Sequence, residues 1–177
     1  MKHFLLMLIF MVTNISSMFG QTETDHFVYD KDRDYFRVFL KEKEQVGTYL
    51  SKINIRMEYH NLVWVVNARV KPFQELIDEG TFSKERMKEL EKANDSFGIY
   101  VFFNETGIVS DVYFTMPVAR RSLLTDEELY CIYQKCLGVL YDLTNVVVLD
   151  ANSLTPKVMK SFLAYDFFKI PFEALKY

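Results

Sequence analysis

The first clear pattern along the chain is an alternation of apolar and polar residues, which is typical of half-buried strands. Between residues 49 and 71 two such runs flank His60-Asn61, and a two-residue turn there would place both apolar sets on one face. The apolar set of the first run is Tyr49, Ile53, Ile55, Met57 and Tyr59, and that of the second is Leu62, Trp64, Val66, Ala68 and Val70. The sequence therefore predicts a β-hairpin over 49–71.

A second hairpin is predicted over 97–115, around the turn sequence Asn104-Glu105-Thr106-Gly107. A four-residue loop at this place would pair Ile99 with Val112 and bring the apolar residues of both strands to one face. Two hairpins with the same kind of covered face indicate one antiparallel sheet.

Helical spacing is clearest after residue 124. Thr125 begins a capping box that Glu128 completes, and apolar residues then recur every three or four positions. We expect a helix over 125–142 that packs across the sheet. Two shorter helices are predicted, one that starts at Pro72 and ends near Gly80, and one from Ser83 to about Asn94.

The other segments give weaker signals. Residues 35–46 fit neither a strand nor a helix alone and stay unassigned. A short apolar strand is predicted over 146–149, a last helix after Thr155-Pro156, and an aromatic edge strand over 165–172. The fold class that follows is α+β, an antiparallel sheet built from two hairpins with helices packed on one face.

The first 20 residues have the pattern of an export signal, a basic start followed by an apolar run. The run, Phe4 to Val12, is shorter than the roughly 20 residues that a membrane-spanning helix needs. We expect cleavage after Gly20, with Ser17 as the alternative position and an uncleaved amino-terminal anchor as the competing interpretation. The domain organisation is then a signal peptide over 1–20, a mobile acidic arm over 21–34 and a single α+β domain over 35–177.

Composition narrows the class of protein. Half of the 177 residues are hydrophobic, and the chain has only six Gly and four Pro, which excludes a disordered or collagen-like chain. A net charge of −3 speaks against a nucleic-acid-binding surface. The two cysteines, Cys131 and Cys136, are too far apart along one helix for a disulfide and are interpreted as free structural residues.

Two family resemblances point to the cell envelope. Residues 97–138, which include SFGIYVFFNETGIVSDVYFTM and LLTDEELYCIYQKCLG, resemble the C-terminal domain of TonB-type envelope proteins, in which a strand, a Gly turn, a strand and a helix follow one another. The chain has no Pro-rich spacer, so the resemblance does not imply energy transduction. The signal that ends near Gly20-Gln21 and the small aromatic-rich domain are also similar to the uncharacterised secreted domain-of-unknown-function proteins of Bacteroides-type bacteria. That resemblance implies a periplasmic or secreted location and no known activity.

Aromatic residues supply the main candidate binding surface. Tyr100 and Tyr113 fall on the second face of the 97–115 hairpin, which is too apolar simply to face water. It is covered by another element of the chain, such as the aromatic tail with Phe167, or by a partner. We expect a partner to be another envelope protein that contacts this face or adds a strand to a sheet edge. Arg120 and Arg121 form a loop pair that would hold a carboxylate or phosphate, or only aid solubility.

Catalytic and metal-binding patterns are weak. Glu127 and Glu128 would suit a carboxylate-dependent hydrolase of the periplasm, but their position in the first turn of a helix already explains them. His26 and His60, the two histidines after the signal, have no metal-ligand spacing. We therefore expect no metal, cofactor, nucleic acid or membrane span in the mature chain. The function favoured is a noncatalytic binding or interaction module of the envelope, with the hydrolase as the alternative.

Overall fold

The computed structural model describes residues 21–43, 55–59, 63–93, 97–121, 123–143, 146–150 and 163–177. Its strands are β1 (Gln21–Glu23), β2 (Phe27–Asp32), β3 (Tyr35–Leu40), β4 (Ile55–Tyr59), β5 (Gly98–Asn104), β6 (Val109–Pro117), β7 (Val146–Asp150) and β8 (Leu163–Phe168). Its helices are α1 (Val63–Asp78), α2 (Lys84–Ala93) and α3 (Asp126–Cys136), and Val118–Arg120 and Phe172–Ala174 form short 3-10 turns. The predicted α+β class is confirmed.

Six strands form one antiparallel sheet in the order β1-β2-β3-β6-β5-β8. Successive side chains of a strand point to opposite faces, so each strand contributes to both surfaces of the sheet. One face meets the helices in a single buried cluster, where Phe27, Ile99 and Phe114 are fully covered. The helices contribute Val65, Leu76, Leu90, Leu129 and Ile132 to this cluster. The helices thus pack on one face, as predicted.

The opposite face of the sheet is also aromatic. It carries a small cluster of Val28, Phe39, Phe102 and Tyr113, with Tyr100 and Leu163 packed against it. Three further rings on this face keep much of their surface exposed: Tyr35 at 48%, Tyr165 at 42% and Phe167 at 44%. An outer sheet face is usually polar when it meets only water. Because this face is aromatic instead, it is where we place the candidate site.

Helix α1 replaces the second strand of the hairpin predicted over 49–71, so that prediction is wrong. Val65 and Ala68 are buried, whereas Val66, which the strand pattern would have buried, is 41% exposed. The buried positions 65, 68, 73 and 76 recur at helical spacing. The helix that was predicted to start at Pro72 thus begins earlier in the chain, and Pro72 lies inside α1.

The described part of the first predicted strand of that hairpin, β4, has a different partner. It pairs antiparallel with β7 in a separate two-stranded sheet, where Met57 lies opposite Val148. The short strand predicted over 146–149 is present as β7. Residues 49–54 and the turn at His60-Asn61 lie outside the described residues.

The acidic segment 21–34 is part of the sheet, so its interpretation as an arm ahead of the domain is wrong. β1 pairs with β2, and β2 pairs with β3 over its whole length. Phe27 is fully buried and Tyr29 is 3% exposed. The charges misled the prediction because they cluster at the end of β2 and in the turn after it, where Arg33 has a positive φ of 57°. The domain therefore includes this segment.

The second predicted hairpin exists as β5 and β6, with its register shifted by two residues. Ile99 pairs with Phe114 rather than Val112. Gly107 closes the turn with a positive φ of 76°, while Ile108 leaves the hairpin and bridges to the segment after α3. A shift of two residues keeps side chains on their faces as far as the irregularity between Phe102 and Phe103. The predicted sharing of one face is confirmed for Ile99, Val101, Val112 and Phe114, all in the core cluster, but not for Ile108, which is 47% exposed, and the individual pairs were wrong.

Helix α3 begins as predicted and ends early. Glu128 N donates to Thr125 Oγ1 at 3.1 Å and Thr125 N donates to Glu128 Oε2 at 2.8 Å, which confirms the capping box. The helix ends at Cys136 rather than near 142, because Gly138 takes a positive φ of 75° and the chain then pairs with the start of β6. In that pairing Val109 N donates to the carbonyl of Val139 at 2.9 Å.

Other predictions have mixed outcomes. Helix α2 starts after its Ser83 cap, and β8 forms an outer strand of the sheet as expected of the aromatic tail. The signal segment 1–20 and the helix after Thr155-Pro156 lie outside the described residues. None of the helices in the described part of the chain is long and apolar enough to cross a membrane.

Candidate functional site

A cleft of about 530 Å³ opens on the aromatic face of the sheet. Four aromatic side chains line it, Tyr35, Tyr100, Tyr113 and Phe167, together with Asp32, Arg37, Thr115 and Lys169. The sheet register brings them together. Arg37 pairs with Thr115 across β3 and β6, and Tyr100 pairs with Tyr113 on one side and with Phe167 on the other. The site therefore depends on side chains from five neighbouring segments.

Three aromatic rings stand side by side along the cleft. The ring centroids of Tyr113 and Tyr100 lie 4.4 Å apart at an interplanar angle of 5°, and Phe167 follows 4.5 Å from Tyr100. Since β5 lies between β6 and β8, the Tyr100 ring has a neighbour on each face. Its edge and hydroxyl are then the parts available to a ligand. Stacked and tilted pairs of this kind contribute about 0.5–1.5 kcal/mol beyond the burial of their area.

Gly98 makes room for the Phe167 ring. A Cβ atom at Gly98 would lie 2.5 Å from Phe167 Cε2 and 2.6 Å from Thr115 Oγ1, both closer than atoms can approach. The Phe167 ring therefore packs over the backbone at Gly98. The absence of a side chain at this position sets the shape of one end of the cleft.

Charged groups flank the rings. Arg37 Nη2 donates to Asp32 Oδ2 at 3.0 Å, and Arg37 Nε lies 3.8 Å from Asp30 Oδ2. Among the described residues this Nε is a buried donor without a hydrogen-bond partner. Lys169, just beyond β8, adds a second cation to the lining. The side chains that line the cleft thus hold two cations and one carboxylate.

The phenols of Tyr100 and Tyr113 are protonated at neutral pH. Burial raises the pKa of Tyr113 well above its usual value, and the adjacent Tyr100 adds to the rise, while the charge of Arg37 acts against it. The pKa of Tyr100 is raised mainly by burial as well. Both hydroxyls therefore keep their protons and are unsuited to act as bases.

The structure brings together three of the five residues proposed from the sequence. Tyr100, Tyr113 and Phe167 share the cleft, and the aromatic tail extends this face as β8 rather than covering it. Arg120 and Arg121 are not with them. The Arg121 guanidinium lies 5.0 Å from the ring centroid of Tyr29, a residue of the core cluster, and Arg120 ends the short 3-10 turn after β6. The proposed anion site at this pair stays a prediction.

No protein-family model matches the chain, and no curated protein matches it significantly. The chain is similar in fold to a DUF5043 family protein from Bacteroides uniformis. The similarity to that crystal structure has a TM-score of 0.50 at 14% sequence identity, and it covers 84% of this chain and 89% of that chain. At this identity the likeness shows the DUF5043-type fold alone.

On this DUF5043-type fold, the first-turn acids of α3 hold neighbouring elements in place. Asp126 accepts hydrogen bonds from the hydroxyl of Thr24 and from the backbone N of His26, the latter at 2.9 Å. Glu128 accepts two bonds from Arg86 of α2, at 2.7 and 2.8 Å. Burial alone would raise the pKa of Glu128, but the bonds from Arg86 and Thr125 outweigh it and the pKa lies below its usual value. A general acid needs the opposite shift.

The two other kinds of candidate reactive group are cysteine thiols and metal ligands. Burial raises the pKa of Cys136 to about 12, so its thiol is not a nucleophile at neutral pH. Within the described ranges, no three His, Cys, Asp or Glu side chains cluster in a way that would hold a metal ion.

Several cleft residues escaped the sequence analysis. Asp32 was assigned to an arm, and Tyr35 and Arg37 lie in the segment left unassigned. Lys169 follows Phe167 by two positions within the strand predicted over 165–172, a spacing that places both on one face. That spacing was a usable signal for Lys169.

Proposed function

We propose that the protein is a noncatalytic binding module of the cell envelope that takes its ligand in the aromatic cleft. The observation that carries the proposal is the cleft itself, a concave site that is lined by four aromatic side chains and four polar ones. This composition is typical of ligand-binding sites. A ligand bound in the cleft would also explain why the fold leaves apolar ring surface exposed on this face.

The noncatalytic part of the proposal depends on the titratable groups. Acid–base catalysis at a carboxylate pair needs two groups with separated pKa values in one opening. Asp32, the one carboxylate in the cleft lining, is paired with Arg37, and Glu128 is held by Arg86 and Thr125 away from the cleft. The hydrolase alternative gains no support from these contacts.

The proposed location combines two arguments. The amino-terminal pattern of a short apolar run followed by polar residues is typical of a cleaved export signal. The shared fold with a Bacteroides uniformis DUF5043 protein fits the Bacteroides-type secreted family proposed from the sequence. Contact with another envelope protein through a sheet edge remains part of the proposal, and the outer strand beside the cleft is β8.

An intact-mass measurement on protein from its native host tests the location. We expect a mass that begins near residue 21. A full-length product in the cytosol would contradict export.

Amide NMR spectra with a fragment set of neutral, anionic and cationic compounds test the binding site. We expect shift changes at Gly98, Tyr100 and Phe167 that disappear in the Phe167→Ala protein. The Tyr165→Ala protein is the matched control, because Tyr165 is equally exposed on the same face of β8 and does not line the cleft. Fragments that bind only elsewhere, or none that bind in any class, would overturn the proposal.

A further inference from the structure

The size of the cleft limits what it holds. A volume of about 530 Å³ lies within the roughly 300–1,000 Å³ of small-molecule sites. A stable protein contact needs about 800 Å² on each partner and a broad surface. The occupant that fits the cleft is therefore a small molecule.

The exposed rings favour a ligand with a flat apolar part. Phe167 keeps 44% of its surface exposed at the cleft, so a flat ring placed against it would cover apolar area on both. Tyr100 presents its edge, which carries the positive part of the ring quadrupole. Ring edges interact well with an aromatic face or with an anionic oxygen.

The polar groups favour a ligand rich in hydrogen-bond acceptors. Donors dominate the lining, since Arg37, Lys169 and the Tyr100 hydroxyl donate, while Asp32 alone is an obligate acceptor and already accepts from Arg37. The bond to Asp32 also fixes the orientation of the Arg37 guanidinium. A carboxylate meets such donors with short, charge-assisted hydrogen bonds.

We propose, on the basis of the proposed binding function, that the cleft selects a small organic anion that combines a flat ring with a carboxylate. The ring packs against Phe167, and the carboxylate takes hydrogen bonds from Arg37, Lys169 and the Tyr100 hydroxyl. A cationic ligand of the same shape would meet two like charges in the lining and gain only Asp32, which Arg37 already occupies.

The test compares four probes on the purified protein by isothermal titration calorimetry. They are 2-naphthoate, its neutral amide 2-naphthamide, the cation 2-naphthylmethylammonium, and acetate as an anion without a ring. We expect 2-naphthoate to bind at least tenfold more tightly than the cation and than acetate, and about threefold to tenfold more tightly than the amide, because a charge-assisted bond adds about 1 kcal/mol. Added salt should weaken the binding of 2-naphthoate and leave the binding of 2-naphthamide unchanged.

Paired variants separate the two parts of the recognition. Phe167→Ala should weaken naphthoate and naphthamide alike by about tenfold, whereas Tyr165→Ala should change neither. Lys169→Gln should weaken only the naphthoate, by about threefold, and Lys169→Arg should restore it. Urea midpoints equal to that of the wild type show that each variant is folded.

The outcomes also separate this inference from the proposed function. One outcome is that the amide or the cation binds as tightly as 2-naphthoate and that Phe167→Ala removes this binding. It would overturn the preference for an anion but keep the binding cleft. The same holds if cellobiose, a neutral disaccharide, binds more tightly than the naphthoate and depends on Phe167. No Phe167-dependent binding in any arm overturns both. A wild-type dimer in sedimentation that Phe167→Ala dissociates would instead make the cleft a contact between two copies of the chain.

Discussion

Removal of the Asp166 carboxylate should weaken the anchor of β8, the strand that carries one wall of the cleft. Asp166 is 6% exposed and accepts hydrogen bonds from Arg69 Nε and Nη2 at 2.7 Å each and from the Tyr141 hydroxyl at 2.9 Å. Arg69 belongs to α1, so these bonds join the outer strand to the helix layer. Side chains alternate along β8, and Asp166 points to the core while Phe167 points to the cleft.

The expected loss follows from the burial of the pair. Removal of one partner of a fully buried ion pair costs about 3–5 kcal/mol, because the other charge is left without compensation. The Arg69 side chain is 29% exposed, so water recovers part of that cost. We expect Asp166→Ala to lower the free energy of unfolding by about 2–3 kcal/mol once this exposure is counted.

Urea unfolding at pH 7, followed by far-ultraviolet circular dichroism, measures this loss. The set comprises the wild type, Asp166→Ala, Arg69→Met and the double variant, with Asp34→Ala as a control at an exposed carboxylate. The double variant should lose about 2 kcal/mol less than the sum of the single losses, because the interaction between the two side chains can be lost only once.

Two results would refute this reasoning. One is a loss below about 0.5 kcal/mol in Asp166→Ala, which is the range of ordinary surface changes. The other is strict additivity in the double variant, which would mean that the two side chains do not stabilise each other.

Four further predictions follow from the structure. Thr125→Ala should cost about 1 kcal/mol in urea unfolding, because it removes the cap of α3; an unchanged midpoint would contradict the cap. Glu128 has a folded-state pKa below its usual 4.5, so it stabilises the fold above that pH and this contribution is lost as the pH falls through the folded value. Glu128→Gln should therefore flatten the loss of stability between about pH 5 and pH 3, and equally steep curves for both proteins would contradict the pairing. The Cys136 thiol, with a pKa raised to about 12, should stay unmodified by an aromatic disulfide reagent at pH 8 until the protein is unfolded, as peptide mass mapping would show. Gly98→Ala should displace the Phe167 ring and weaken naphthoate binding about tenfold; unchanged binding would mean that the ring position does not matter.

Local signals in the sequence predicted the parts of the fold that local physics decides. The capping box at Thr125 and the faces of the 97–115 hairpin depend on residues close in sequence, and both are present. The segment 62–70 could not be assigned correctly in the same way. Its alternating apolar residues match a strand, but Val65 and Ala68 are buried by packing against the sheet, and tertiary contacts override β-propensity. The β4–β7 pair joins segments too distant for any local pattern to connect.

The candidate site divides in the same way. Tyr100, Tyr113 and Phe167 were predicted because an aromatic residue on an outward face is visible from alternation alone. Arg37 enters the cleft only because β3 pairs with β6, a contact between distant segments that brings it beside Thr115. Asp32 was hidden by the acidic composition around it. Sequence pattern thus predicts which face a residue shares, and long-range register decides its neighbours.

Under the proposed function the two faces of the sheet have separable roles, and β8 carries residues of both. Buried apolar area on the helix side, in the cluster around Ile99 and Phe114, supplies the stability of the fold. The rings of the outer face are partly exposed and contribute less, yet they stand on strands fixed by backbone hydrogen bonds, so the cleft exists before a ligand arrives. Because Asp166 and Phe167 are neighbours that point to opposite faces, a change at Phe167 should reduce binding with little effect on stability. A change at Asp166 should lower stability first and should affect binding only as far as it moves the strand.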